Sequence, residues 1–270
     1  MRRRWPKLVL AGLVLVMAGA LVAALISSRK LVGAVPGEAS ILSMAVIEKG
    51  FLVGTAKGLF VSADGKGWTK VKSYSGKRVL AARVADRAVI MHDKVLLETS
   101  DLKTFDRAYG VVQGGIAMAG DPEGNIYIAE DARHLVLIRA DNALLRVTAI
   151  KGPGDVITIG GIPGDPVVVL TGGLTSGFWR SLGGDAPWRK ILKTPARSIL
   201  VDRTKQDRIL LGTAGGIFYS NDEGFKWTYS EMRLPVEALA EHQGIYYALT
   251  NDRILYFSKT GINGWKRLVE

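Results

Sequence analysis

From Ile41 onward, β-branched, aromatic and leucine residues gather in short runs broken by Gly, Asp and Asn, with no amphipathic helical spacing. Short apolar runs bounded by turn residues are the pattern of strands. One stretch shows the unit plainly. Leu210-Leu-Gly-Thr-Ala-Gly-Gly-Ile-Phe-Tyr-Ser-Asn-Asp-Glu-Gly-Phe-Lys-Trp227 reads as a strand, a tight glycine turn, a second strand and a polar hairpin closed by tryptophan. Leu52-Val-Gly-Thr-Ala-Lys-Gly-Leu-Phe-Val-Ser-Ala-Asp-Gly-Lys-Gly-Trp68 repeats it. A unit that recurs so far away predicts a repeat protein.

Alignment on the strand before the polar hairpin gives six copies, ending at Ser62, Thr99, Arg139, Ser181, Ser220 and Ser258. Their intervals are 37, 40, 42, 39 and 38 residues. Each copy holds four strand-like runs. In the first they are Ile41–Glu48, Phe51–Thr55, Gly58–Ser62 and Trp68–Lys72; in the fifth, Ser198–Asp202, Arg208–Gly212, Ile217–Ser220 and Trp227–Ser230. Four strands per forty or so residues is the period of a propeller blade. The expectation is an all-β fold, a six-bladed β-propeller of four-stranded blades over residues 41–270. Both end copies are complete, so the ring should close without an exchanged strand.

The hairpin after each third strand carries a motif, Ser220-x-Asp222-x-Gly224-x-x-Trp227 at full length. Hydroxyl and carboxylate oxygens can accept from turn N–H groups, glycine supplies unusual φ, and tryptophan covers the hairpin's apolar side. Copy one is a residue shorter, with Ser62, Asp64 and Trp68. Copy two has Thr99 and Asp101 with Phe105 in place of tryptophan. Copies four and six keep Ser181 with Trp188 and Ser258 with Trp265 but lack the acid, and degenerate copy three keeps only Asp141. Four of the six tryptophans therefore share one position. The pattern resembles the Asp-box, or bacterial neuraminidase repeat, of sialidases, sortilin-type receptors and photosystem II stability/assembly factors. The resemblance implies that these residues hold blades together and do no chemistry.

The first thirty residues are different. Leu8–Ile26 carries no charge and as a helix would be about 28 Å long, enough to cross a bilayer core of about 30 Å. A cleaved signal peptide is the alternative, but the run is long for one and ends in Ser-Ser-Arg-Lys. The reading is an N-terminal signal-anchor over residues 1–30 and a linker over 31–40, broken by Gly33, Pro36 and Gly37. Arg2, Arg3, Arg4 and Lys7 outnumber Arg29 and Lys30, which places the N-terminus in the cytoplasm and the propeller outside it. Removing those six from 36 basic residues leaves 30 against 25 acidic ones. That balance is too weak to imply nucleic acid. The absence of cysteine excludes disulfides and thiolate chemistry.

No catalytic constellation is readable, and no cofactor is implied. A sialidase-like site needs three arginines, a tyrosine with a glutamate partner and an aspartic acid at the propeller centre, and the first repeat holds no arginine. His92, His134 and His242 fall in different repeats without metal-ligand spacing. Binding is the better expectation. If inner strands begin at one face, here called top, the loops between second and third strands return there, and the Asp-box hairpins lie at the bottom. The top loops carry Lys57, His92, Lys94, Arg133, His134 and Arg253. The functional expectation is a protein-binding or assembly scaffold at the cell membrane, engaging an acidic, membrane-associated partner. A divergent carbohydrate-active enzyme and a ligand-binding sensor domain are the alternatives.

Overall fold

A computed structural model describes residues 33–107, 112–132, 134–140, 144–148, 154–164, 167–183, 187–205 and 207–269. These form six four-stranded antiparallel sheets, each continuous in sequence. Blade one holds β1 (Ile41–Ile47), β2 (Gly50–Thr55), β3 (Gly58–Ser62) and β4 (Thr69–Lys70). Blade two holds β5 (Val79–Val84), β6 (Arg87–His92), β7 (Val95–Thr99) and β8 (Asp106–Arg107). Blade three holds β9 (Ala117–Gly120), β10 (Ile126–Ala129), β11 (His134–Ile138) and β12 (Leu144–Thr148). Blade four holds β13 (Val156–Ile162), β14 (Val168–Gly173), β15 (Gly177–Leu182) and β16 (Arg189–Leu192). Blade five holds β17 (Ser198–Val201), β18 (Ile209–Thr213), β19 (Gly216–Ser220) and β20 (Thr228–Tyr229). Blade six holds β21 (Val236–His242), β22 (Ile245–Thr250), β23 (Leu255–Ser258) and β24 (Lys266–Arg267). No blade borrows a strand, and β1 packs directly on β21 to close the ring.

Burial follows position in the blade. β2, β10 and β18 are buried at every residue, because a second strand has neighbouring blades on both faces. The outermost strands β4, β8, β20 and β24 are two residues long and exposed. Short, mostly charged edges resist pairing with another chain. The core is divided among the seams between blades, with one apolar cluster at each. At the seam of blades three and four the Tyr127 ring lies on the backbone of β13. A Cβ on Gly161 would come within 2.0 Å of that ring, so only glycine fits.

The tryptophans serve the seams. Trp68, Trp188, Trp227 and Trp265 each join the cluster shared with the preceding blade. Trp227 lies edge-on to Phe178 of blade four, 5.2 Å between centroids. Trp227 also covers its own hairpin as expected, donating from Nε1 to Gly224 O at 2.8 Å, so the seam contact is additional to that role.

The Asp-boxes close as the motif requires. Ser220 Oγ donates to Asp222 Oδ1 (2.7 Å) and accepts from Gly224 N (2.8 Å), while Asp222 Oδ1 accepts from Lys226 N (2.8 Å). Gly224 sits at φ +90°, where other residues are strained. Ser62 with Asp64 and Thr99 with Asp101 repeat the arrangement. Backbone N–H groups of Thr104 and Lys103 draw the Asp101 carboxyl down to about 2. Blade six lacks the acid and uses Thr260 instead, whose Oγ1 accepts from Ile262 N (3.2 Å) and Asn263 N (3.0 Å). In blade four Ser181 Oγ donates to Leu182 O at 3.4 Å. Asp141 lies outside the described residues.

The expected linker is partly structure. Val35 is buried at the seam of blades one and six, and its N–H donates to Arg253 O at 3.1 Å. Arg253 in turn donates to Pro36 O and Ala39 O, and Trp68 Nε1 donates to Gly33 O at 3.3 Å. Residues 33–40 thus form a strap over the closing seam. Among the described residues no helix is long and apolar enough to cross a membrane, and Leu8–Ile26 lies outside them.

Candidate functional site

Strand direction assigns the faces. Inner strands run from top to bottom, so Lys57, His92, Lys94, His134 and Arg253, each at or beside a turn between second and third strands, lie on top. The structure sorts these candidates. Arg253 is removed from the free rim because its guanidinium clamps the strap, and burial lowers its pKa. His134 Nδ1 lies 2.7 Å from Asp131, and His92 Nε2 lies 3.0 Å from Asp93, so each imidazole already has a carboxylate partner. Arg133 lies outside the described residues. Lys57 and Lys94 are exposed.

One connection brings further cations beside these lysines. After β4 a short 3-10 turn, Lys72–Tyr74, leads to Lys77 and Arg78. Gly76 N donates to Lys57 O at 3.0 Å, which holds this connection against the blade-one loop. The buried Tyr74 ring meets His92 of blade two at 5.7 Å. Arg78 donates to Gly115 O (2.5 Å) and Ile116 O (2.7 Å), and burial lowers its pKa. The top of blades one and two therefore gathers Lys57, Lys72, Lys77, Arg78 and Lys94. None of the five makes an ion pair among the described residues.

The inner strands line a central channel. Its wall is built from small inner-strand residues such as Ala45, Ala81, Ala119, Gly160 and Ala238. Arginines stand at both ends. Arg197 is at the top, paired with Glu237; Arg83 and Arg203 are at the bottom beside Glu241. Burial, then the charge of Arg83, pulls the Arg203 guanidinium down to about 10. Arg83 and Arg203 mark no repeat and so escape a reading by motif. The signal was their place at the ends of inner strands.

Three central arginines do not make a sialidase-like centre here, since Arg197 and the Arg83–Arg203 pair lie at opposite ends. Two buried tyrosines near the bottom are committed as well. Tyr127 donates to Asp121 Oδ2 at 2.8 Å, and Tyr246 donates to Asp202 Oδ2. Burial, and then its hydrogen bond to Asp202, pushes the Tyr246 phenol up to about 12. Burial and then the Asp121 charge raise Tyr127 likewise. Such phenols stay neutral and are poor nucleophiles. Among the described residues no cluster of three or more His, Asp or Glu is placed to hold a metal.

The repeat geometry defines an Asp-box β-propeller. No family model matches the chain, and no curated protein is similar to it in sequence. Solved structures share the fold. YCF48 from Cyanidioschyzon merolae is 12% identical with a TM-score of 0.52, over 86% of this chain and 86% of that one. YCF48 bound to a D1 peptide is 15% identical with a TM-score of 0.51, over 87% of this chain and 83% of that one. The extracellular domain of BT4673 from B. thetaiotaomicron is 16% identical with a TM-score of 0.54. It is matched over 87% of this chain and only 34% of its own length.

Proposed function

We propose that the protein is a membrane-anchored, extracytoplasmic binding scaffold, not an enzyme, that captures an acidic segment of a protein partner on the top of blades one and two. The observation that carries this reading is the group of exposed lysines Lys57, Lys72, Lys77 and Lys94, without ion pairs among the described residues, around the inter-blade connection that Arg78 fastens. Exposed like charges without counter-ions are attracted to an acidic surface, and the attraction weakens with salt. Support comes from a structure of the same fold that holds a peptide, YCF48 with D1. The anchor rests on the uncharged Leu8–Ile26 run and its flanking basic residues.

Crosslinked capture from intact membranes tests the docking face. Reversal of Lys57, Lys72, Lys77 and Lys94 to Glu should abolish capture at low salt with an unchanged melting temperature. Reversal of Lys66, Lys103, Lys226 and Lys259 on the bottom hairpins should leave capture intact. Survival of capture in the first variant, or equal loss in the second, rejects this face. Alkaline extraction with N-terminal sequencing tests the anchor, and a mature terminus near residue 35 rejects it.

A further inference from the structure

At the bottom of the channel two arginines from distant blades meet. Arg203 follows β17 of blade five and reaches across the ring. Its Nη2 donates to Ala85 O (2.7 Å) and Asp121 O (3.1 Å), and its Nη1 donates to Arg83 O (3.4 Å). Arg83 of blade two donates through Nε to the same Ala85 O (3.2 Å), and through Nη1 to Glu241 O of blade six (3.0 Å). One carbonyl therefore accepts from both guanidiniums and holds two like charges side by side.

Among the described residues Arg83 has one ion pair, to Glu241, and Arg203 has none. Glu241 Oε2 is buried and without a hydrogen bond, 3.8 Å from Arg83 Nη1, while Oε1 takes Gly244 N at 2.7 Å. The Asp121 carboxylate is taken up by Asn125 and Tyr127. Asp86 is exposed. Arg83 Nη2 and Arg203 Nε have no acceptor among the described residues. A partly buried positive charge is unfavourable unless paired, and guanidinium forks match planar or tetrahedral oxyanions.

We propose that the Arg83–Arg203 pair is an anion site that takes one compact oxyanion or carboxylate from solution and thereby ties blade two to blade five across the channel. The site lies on the opposite face from the proposed partner patch, so the two readings stand or fall separately. A ligand that binds only the folded ring must raise its stability.

The melting temperature of the full-length chain in detergent, followed against phosphate, sulfate and acetate at ionic strength matched with sodium chloride, tests the site. The expected result is a saturable rise. At about nine times Kd the folded state gains roughly tenfold, about 1.4 kcal/mol, or about 3–6 °C for a domain of this size. Phosphate and sulfate also stabilise proteins by exclusion from their surface, without saturation and without regard to these arginines. The double variant R83Q/R203Q supplies that baseline and should lose the saturable component. A linear response, or an equal saturable response in the double variant, overturns the site. R203K keeps the charge but loses the fork, and should raise the half-saturating phosphate concentration about tenfold. If the double variant does not fold, an unchanged half-saturation in R203K is the result that rejects the proposal.

Discussion

Tyr127 offers a clean test of how the buried Asp121 carboxylate of blade three is held. Its side chain is 1% exposed, its ring lies on Gly161 of the next blade, and its hydroxyl donates to Asp121 Oδ2 at 2.8 Å. Asp121 is 2% exposed, and its carboxylate also takes Asn125 Nδ2 (2.7 Å) and Asn125 N (2.9 Å). Tyr127→Phe keeps the ring on the glycine and removes only the donor. A hydrogen bond to a charged group contributes about 1.5–3 kcal/mol. The loss should fall in the upper half of that range, because the carboxylate stays buried with one partner fewer. At about 2–4 °C per kcal/mol, calorimetry should show the melting temperature falling by about 5–12 °C. In an Asp121→Asn background the hydroxyl faces a neutral amide, where such a bond contributes about 0.5–1.5 kcal/mol, so the two changes should not add. A Tyr127→Phe protein that melts within about 1 °C of the wild type, or strictly additive losses, would refute the reasoning.

Two further outcomes follow from the turns and the strap. Asp101 titrates at about 2 through the N–H groups of Thr104 and Lys103. Asp155 also sits at about 2, because burial, which raises it, is outweighed by hydrogen bonds from Ser176 and Thr175. Unfolded aspartates titrate near 3.9, so this stabilisation is complete above about pH 4 and is lost as pH falls toward 2. Asp101→Asn with Asp155→Asn should flatten the melting-temperature profile over that window, and an unchanged acid slope would remove the assignment. Arg253→Ala removes two charge-assisted bonds to Pro36 and Ala39, each contributing about 1.5–3 kcal/mol when fully formed. Hydrogen exchange at the Val35 amide should accelerate at least about tenfold, and unchanged protection would show that the strap does not depend on the clamp.

What could be read along the chain is what forms between near neighbours. The first and fifth blades show this. Expected Gly58–Ser62 is β3 without change, and expected Ser198–Asp202 is β17 less one residue. The Asp-boxes were equally legible, since Ser220, Asp222 and Gly224 complete each other's hydrogen bonds within one turn. Even there chemistry outran residue identity, because Thr260 does in blade six what an acid does elsewhere.

The rest depended on closing the ring. Arg253 read as a free cation, yet its acceptors Pro36 and Ala39 lie 217 and 214 residues away in the chain. Arg203 finds its carbonyls 118 and 82 residues away. Trp227 needed Phe178 of the preceding blade before its role was defined. By itself the sequence determined the repeat, its strands and its hairpins, because turn geometry and strand burial are set by residues a few positions apart. Only the tertiary structure decided which cations remain free, which clamp the seam and which meet in the channel. Those outcomes depend on which backbone carbonyls and carboxylates the closed ring carries to each guanidinium, and no local spacing records that.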